Sequence, residues 1–301
     1  LISFCDQVIV LDGGSKDGTF ERLIELAEAH DSLQIHTYER DWNDSRFAVH
    51  DGAQKAAARE LCSSDFCWQQ DVDEIVHEAD AQKIKNLVVH FPNTLDLIAL
   101  PVVEYWGSHE KIRVDVNPWK WRLSKNKDYI THGIPLQLRA TDNDGKVYSL
   151  QGSDGCDYIR KDTGNPVFCG NFYNSEMHEI RVKALSGEEY ALEKYQELIT
   201  KVVENLPGVF HYSWFDLERK IHTYKNYWTR HWQSMYNIAQ EDTADNNMFF
   251  DKKWEDVTDK EIHELAIKLK QETGGWIFHN KIDFDRPTPH IKIDKIPKIM
   301  L

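Results

Sequence analysis

The alternation of short apolar runs with amphipathic stretches over the first hundred residues is what most constrains this chain. Gln7 to Leu11 is a mainly apolar run of the kind that a strand buried on both faces carries, and it ends in Asp12-Gly13-Gly14-Ser15-Lys16-Asp17-Gly18-Thr19. From Phe20 to His30 the apolar residues fall on one helix face, and Leu33 to Tyr38 alternates as a second strand. A helix over Arg46 to Leu61 follows, with Asp44 or Ser45 as its N-cap, then a strand opening at Phe66, a helix over Ala81 to His90 and an apolar strand over Leu95 to Val103. This β/α alternation predicts an α/β fold with a Rossmann-like, mostly parallel sheet and helices on both faces.

In such a sheet the ligand crevice lies beyond the carboxyl ends of the strands, so the residues that follow each strand carry the functional information. The strand at Phe66-Cys67-Trp68 runs through Gln69 and Gln70 into Asp71-Val72-Asp73-Glu74, three carboxylates within four positions. Such a cluster repels itself unless a cation sits among the acids. Mg²⁺ and Mn²⁺ take oxygen from one or two carboxylates together with substrate phosphates. Asp12 ends its own strand in the same way, so both acidic strand ends face one crevice if the strands are parallel neighbours. A solvated acidic turn is the competing reading of either motif taken singly.

As an ordered set, these segments resemble the family-2 glycosyltransferases of the GT-A fold. Val8 to Thr19 is similar to their Asp-Asp/Gly-Gly-Ser-x-Asp-Gly-Thr signature, and Gln70 to Glu74 to their Asp-x-Asp-Glu metal motif. Trp42-Asn43-Asp44-Ser45-Arg46-Phe47-Ala48 is similar to the segment that those enzymes place between the two, and the match in order and spacing runs over about residues 1–130. The resemblance implies transfer of a sugar from a nucleoside-diphosphate sugar to a hydroxyl of a glycan or other acceptor, with inversion, and a Mn²⁺ or Mg²⁺ cofactor. It assigns Asp73 as direct metal ligand and Asp71 to the ribose or the metal's water shell. It places Asp12, with Gly13 and Ser15, on the nucleotide side. Phe210-His211-Tyr212-Ser213 resembles a late His-Tyr-Ser/Gly element, which makes His211 a candidate further metal ligand. Arg46 could offer a forked donor to a phosphate or pair with Asp44 or Asp12. Folds of this type open with a strand and helix before the acidic strand end; Leu1 to Phe4 reads as the tail of that helix, so the first βα unit is expected to be missing from this sequence.

Inverting transfer also needs a general base within reach of the acceptor hydroxyl. The candidates are Glu179, Asp157 and Asp154, in that order; Glu179 leads because His178-Glu179 is followed by a strand-like run at Ile180 and Val182. The residues divide into a nucleotide-sugar core over 1–135, a polar acceptor-side loop or insertion over 136–185, and a helical region over 186–301. Capping boxes are expected at Ser186 to Glu189 and Thr258 to Glu261, and an aromatic helix from about Phe215 to Tyr236. Its aromatic side chains are read as packing ahead of a sugar platform.

With 301 residues, of which 41% are hydrophobic, the chain can bury a large core. A formal net charge of -14 disfavours a nucleic-acid partner, since that affinity rests on Lys and Arg neutralising phosphates. No window approaches the ~18 uninterrupted apolar residues of a membrane span, and no basic-then-apolar leader opens the sequence, so a soluble, cytoplasmic protein is expected, with room for peripheral membrane association. Five cysteines without a Cys-x-x-Cys pair point to free thiols in a reducing compartment. Two other classes share parts of the pattern. A sugar-nucleotide pyrophosphorylase has a similar plan and Mg²⁺ use but wants a Gly-rich, Arg/Lys-bearing first loop, and a non-catalytic glycan-binding protein could keep the fold without the chemistry.

Overall fold

The computed structural model describes residues 1–42, 47–93, 97–114, 119–127, 158–159, 166–167, 169–171, 175–186, 188–228, 247, 249–271 and 281–283. The elements that the β/α alternation marks are all present. Strand β1 (Val8–Asp12), helix α1 (Thr19–Ala29) and strand β2 (Leu33–Thr37) form a unit in which β1 and β2 pair in parallel from Val8 opposite Leu33 to Asp12 opposite Thr37. Gly14 and Gly18 take positive φ angles of 92° and 86° in the turn between them, a conformation that costs glycine little. Helix α2 (Phe47–Glu60), strands β3 (Phe66–Trp68) and β4 (Glu74–Val76), helix α3 (Ala81–Val89) and strand β5 (Leu97–Glu104) follow.

The sheet is mixed rather than mostly parallel. After β5 come β6 (Lys111–Arg113) and β7 (Trp119–Lys125), and a connection this short cannot hold the crossover helix that a parallel return requires. β7 therefore runs back antiparallel between β5 and β3. The next partner of β5 comes from much later in the chain. Strand β11 (Val209–His211) pairs in parallel with the end of β5, from Val209 opposite Val102 to His211 opposite Glu104. It pairs antiparallel with β4 on its other side, with His211 opposite Glu74. The path is β3-β7-β5-β11-β4, and strand β10 (Cys169–Asn171) joins the first half of β5 in parallel. Outside this sheet lie the β1/β2 pair, a short pair of β8 (Tyr158–Ile159) with β9 (Pro166–Val167), and β6 paired with β12 (Lys281–Asp283).

Alternate residues of β5 serve opposite faces. Ile98 and Leu100 pack with Leu123, Phe91 and the α3 residues Leu87 and Val88, whereas Ala99 and Val103 pack with Tyr105, Ile112 and Trp119. The second face is covered by helices α4 (Ser175–Leu185) and α5 (Glu189–Asn205), the latter through Ala191, Tyr195, Ile199 and Val203 at helical spacing. A separate core of Trp106, Trp214, Leu217, Ile221, Trp254, Val257, Ile262 and Ala266 joins α6 (Leu217–Thr223) to α7 (Asp259–Gln271). A cavity of about 780 Å³ lies between β1 and β3, lined by Val8, Ile9, Arg59, Phe66 and Trp68 among others.

Several local expectations change. The residues after His178-Glu179 are helical, within α4, not strand. Ile180 and Ala184 both pack into the sheet-face core, so their spacing is that of a helix face and the apparent alternation of Ile180 and Val182 is incidental. Ser186 does not cap α5; its hydroxyl donates to Lys183 O at 2.8 Å and closes α4, and Glu188 stands at the N-cap of α5 with no side-chain cap bond. The capping box at Thr258 does form, with Thr258 N donating to Glu261 Oε2 at 2.9 Å and Glu261 N to Thr258 Oγ1 at 3.3 Å. Helix α6 begins at Leu217, capped by the Asp216 side chain, and widens into a π-turn over Tyr224–Trp228; residues 229–236 of the expected helix lie outside the described residues. Cys5, Cys62 and Cys67 are free thiols. No described helix is long and apolar enough to cross a membrane.

Candidate functional site

The turn that links β3 to β4 is built by the residues around its acids. Glu74 N donates to Asp71 O at 3.0 Å, Gln70 Nε2 to Glu74 O at 2.6 Å, and Asp71 N to the Glu74 side chain at 3.2 Å. Glu74 is 2% exposed, and Arg122 on β7 grips its carboxylate as a fork through Nε, at 2.9 Å, and Nη2. A buried carboxylate held this way is structural: it ties the turn to the sheet. Val72 at the tip is 67% exposed, so the turn points away from the core.

The two remaining acids face other partners. Asp71 pairs with Lys55 of α2 at 2.5 Å. Burial works to raise its pKa, but Lys55 and Arg122 outweigh that and hold it below the usual carboxylate range. Asp73 Oδ1 lies 3.4 Å from His211 Nε2, and the backbone joins the same two segments, with Tyr212 N donating to Asp73 O at 2.8 Å. On its other side His211 Nδ1 meets Glu104 Oε2 at 2.6 Å. His211 therefore bridges two carboxylates that reach it from β5 and from the β3–β4 turn. Burial opposes the imidazolium, yet Glu104 and Asp73 raise its pKa to about 9. Glu104, 4% exposed, and Asp73 are both held low against their own burial, chiefly by His211.

Cations ring this cluster. Lys120 Nζ on β7 is 3.9 Å from Glu104 Oε2. Lys220 on α6 donates to Ser213 Oγ at 2.5 Å, and its Nζ stands 5.2 Å from the centre of the Trp214 ring, which Arg113 also overlies at 4.9 Å. Burial lowers the Lys220 pKa to about 8, although Glu104 and Asp73 favour its charge.

Asp12 is 7% exposed and shapes its own loop: Oδ1 accepts from Gly14 N and Ser15 N, both at 2.9 Å, and Oδ2 from Ser15 Oγ at 2.5 Å. Helix α2 connects this loop with the β3–β4 turn, because Gln54 donates to Leu11 O at 2.7 Å while its neighbour Lys55 holds Asp71. Trp42 donates to Gly13 O at 2.8 Å, and Arg40 stacks on Trp42 and reaches Tyr227 OH at 2.9 Å.

Asp73 and His211, named from separate motifs, are thus neighbours, and Asp12, Gly13, Ser15 and Asp71 are linked through α2. Glu179 is exposed on α4, with no hydrogen bond or ion pair to Asp73, His211 or Glu104. Arg46, Asp154 and Asp157 lie outside the described residues. Among the described residues no group of three or more His, Cys, Asp or Glu side chains is arranged to hold a metal ion. Sequence reasoning missed Glu104, Lys120, Arg122 and Lys220. Glu104 carried a readable signal, since an acid that ends a long apolar strand repeats the pattern of Asp12. Comparison with protein-family models gives no match, and comparison with curated proteins gives none.

Proposed function

We propose that this chain is a metal-dependent glycosyltransferase of the GT-A type, moving a sugar from a nucleoside-diphosphate sugar to an acceptor hydroxyl. The observation that carries the reading is the 3.4 Å approach of His211 Nε2 to Asp73 Oδ1, two residues picked out by separate motifs. A carboxylate oxygen and a neutral imidazole nitrogen would serve Mn²⁺, an ion that completes its shell with substrate phosphates and water, whereas Mg²⁺ would rely on the carboxylate oxygen. When bound there, the ion would neutralise charge that develops on the leaving diphosphate. Glu104 orients His211 by accepting from Nδ1, which leaves Nε2 turned to Asp73. Lys55 holds Asp71 at the edge of the turn, and the Asp12 loop, closed on itself by the Gly14 and Ser15 amides, would lie on the nucleoside side. The proton of the acceptor hydroxyl needs a base, for which Glu179, Asp157 and Asp154 remain the candidates.

Thermal unfolding with a panel of nucleoside diphosphates, each with and without Mn²⁺, tests the reading. A true ligand at 100 times its Kd adds about 2.7 kcal/mol of stability. One diphosphate should stabilise the protein only with the metal, and Asp73→Asn should remove that effect while the unliganded protein stays folded. If no diphosphate stabilises the parent with Mn²⁺, the reading is wrong. Release of the nucleoside diphosphate on turnover, rather than pyrophosphate, separates sugar transfer from nucleotidyl transfer.

A further inference from the structure

Near the Asp73–His211–Glu104 cluster, Lys220 is bonded unlike Arg122, Lys55 and Lys120. Arg122 is forked on Glu74, Lys55 is paired with Asp71, and Lys120 lies within ion-pair distance of Glu104. An ammonium has three donors. Lys220 uses one among the described residues, on the neutral Ser213 hydroxyl at 2.5 Å, and no described carboxylate lies within 4.0 Å of it. The side chain is half-buried, and its Nζ is held against the Trp214 ring, itself 4% exposed and stacked on Trp106 at 5.4 Å. Ser213 and Trp214 follow directly on His211 and Tyr212, so the group that fixes the ammonium is continuous with the strand that delivers the histidine. A half-buried cation with spare donors and no described carboxylate in ion-pair contact is poised for an anion that enters from solvent.

We propose that Lys220 binds the phosphate farther from the nucleoside in the donor diphosphate, the group from which the sugar departs. This deepens the glycosyl-transfer reading and rests on it. As the bond from the anomeric carbon to the phosphate oxygen breaks, both of its electrons stay on that oxygen. The acceptor oxygen supplies the pair for the new bond, and its proton passes to the base. Lys220 keeps its protons throughout and donates to the phosphate as its charge grows, an interaction stronger in the transition state than in the ground state. Ser213 and Trp214 act as positioning residues.

The test is titration calorimetry in Mn²⁺ on the parent, Lys220→Met, Lys220→Arg and Ser213→Ala, with the nucleoside diphosphate that the parent binds and the matching monophosphate. Lys220→Met should weaken the diphosphate by about tenfold or more, the scale of a lost hydrogen bond to a charged group, and leave the monophosphate within about twofold. Lys220→Arg should recover most of the loss, and Ser213→Ala, which frees the amine without removing it, should fall between. Parent-like diphosphate affinity in Lys220→Met overturns the proposal, and so does an equal loss for both nucleotides. Should Lys220→Met fail to fold, Ser213→Ala decides alone, by a loss confined to the diphosphate or by none. A parent that binds no diphosphate with Mn²⁺ sinks the glycosyl-transfer reading as well, whereas a binding parent with an indifferent Lys220 sinks only this inference.

Discussion

His211 carries a proton that the unfolded chain gives up much earlier, and the two states therefore respond differently to pH. Its ordinary pKa is 6.5, and Glu104 and Asp73 raise it to about 9 against the opposing effect of burial. Between those values the folded state binds more protons than the unfolded one, so stability falls as pH rises. The contribution is complete below pH 6.5 and lost as pH passes 9. Lys220 acts with the opposite sign: burial lowers its pKa from 10.5 to about 8, so its effect on stability is a recovery from pH 8 to 10.5. Urea midpoints of the metal-free protein should accordingly decline from pH 6.5 to 8, and His211→Gln should flatten that decline. A parent slope that survives in His211→Gln would overturn the account. Mn²⁺ affinity should rise over the same interval, because a metal ligand must shed its Nε2 proton. The Asp73–His211 half of this cluster was legible in the sequence, since each residue sits in a recognisable motif. The Glu104–His211 half was not: Glu104 ends an apolar strand as Asp12 does, but no motif ties it to His211, and only the pairing of β5 with β11 brings the two together.

Helices α1, α2, α3 and α7 could be read from spacing and caps, and the two expected capping boxes show where such reading succeeds. At Thr258 the preceding 3-10 turn (Trp254–Asp256) closes through Val257 N on Trp254 O and asks nothing of the threonine, so its side chain and Glu261 are free to exchange bonds with each other's backbone. At Ser186 another helix ends on the same residue, and its hydroxyl is spent on Lys183 O. Thr258→Ala should therefore cost about 1 kcal/mol, as lost N-caps do, while Ser186→Ala should cost a few tenths at most. Equal losses in chemical denaturation would count against this assignment. Helix α4 escaped sequence reading because a short amphipathic helix with Ile180 and Ala184 inward shows the same apolar letters as a strand.

The parallel sheet was the natural expectation from the β/α rhythm of the first hundred residues, and it holds for β1 with β2. It fails where β7 returns over a short connection and where β11, parallel to β5, runs antiparallel to β4, an insertion that no local pattern encodes. Phe210 at the centre of β11 is 4% exposed, and Phe210→Ala should cost about 3–5 kcal/mol. It should also abolish the Mn²⁺-dependent nucleotide response at temperatures where the variant is still folded. Ile262→Ala, on the face of α7 that packs into the separate core, should lose about 2–5 kcal/mol yet keep that response. Because β11 is the strand common to β4 and β5, the ribosome makes both acids of the cluster long before their imidazole. Until Val209 to His211 emerge, the end of β5 and the edge of β4 have no strand between them, and Asp73 and Glu104 have no shared cation. Closing so long a loop is slow compared with local helix formation, so local helices form first and the two acids meet His211 last.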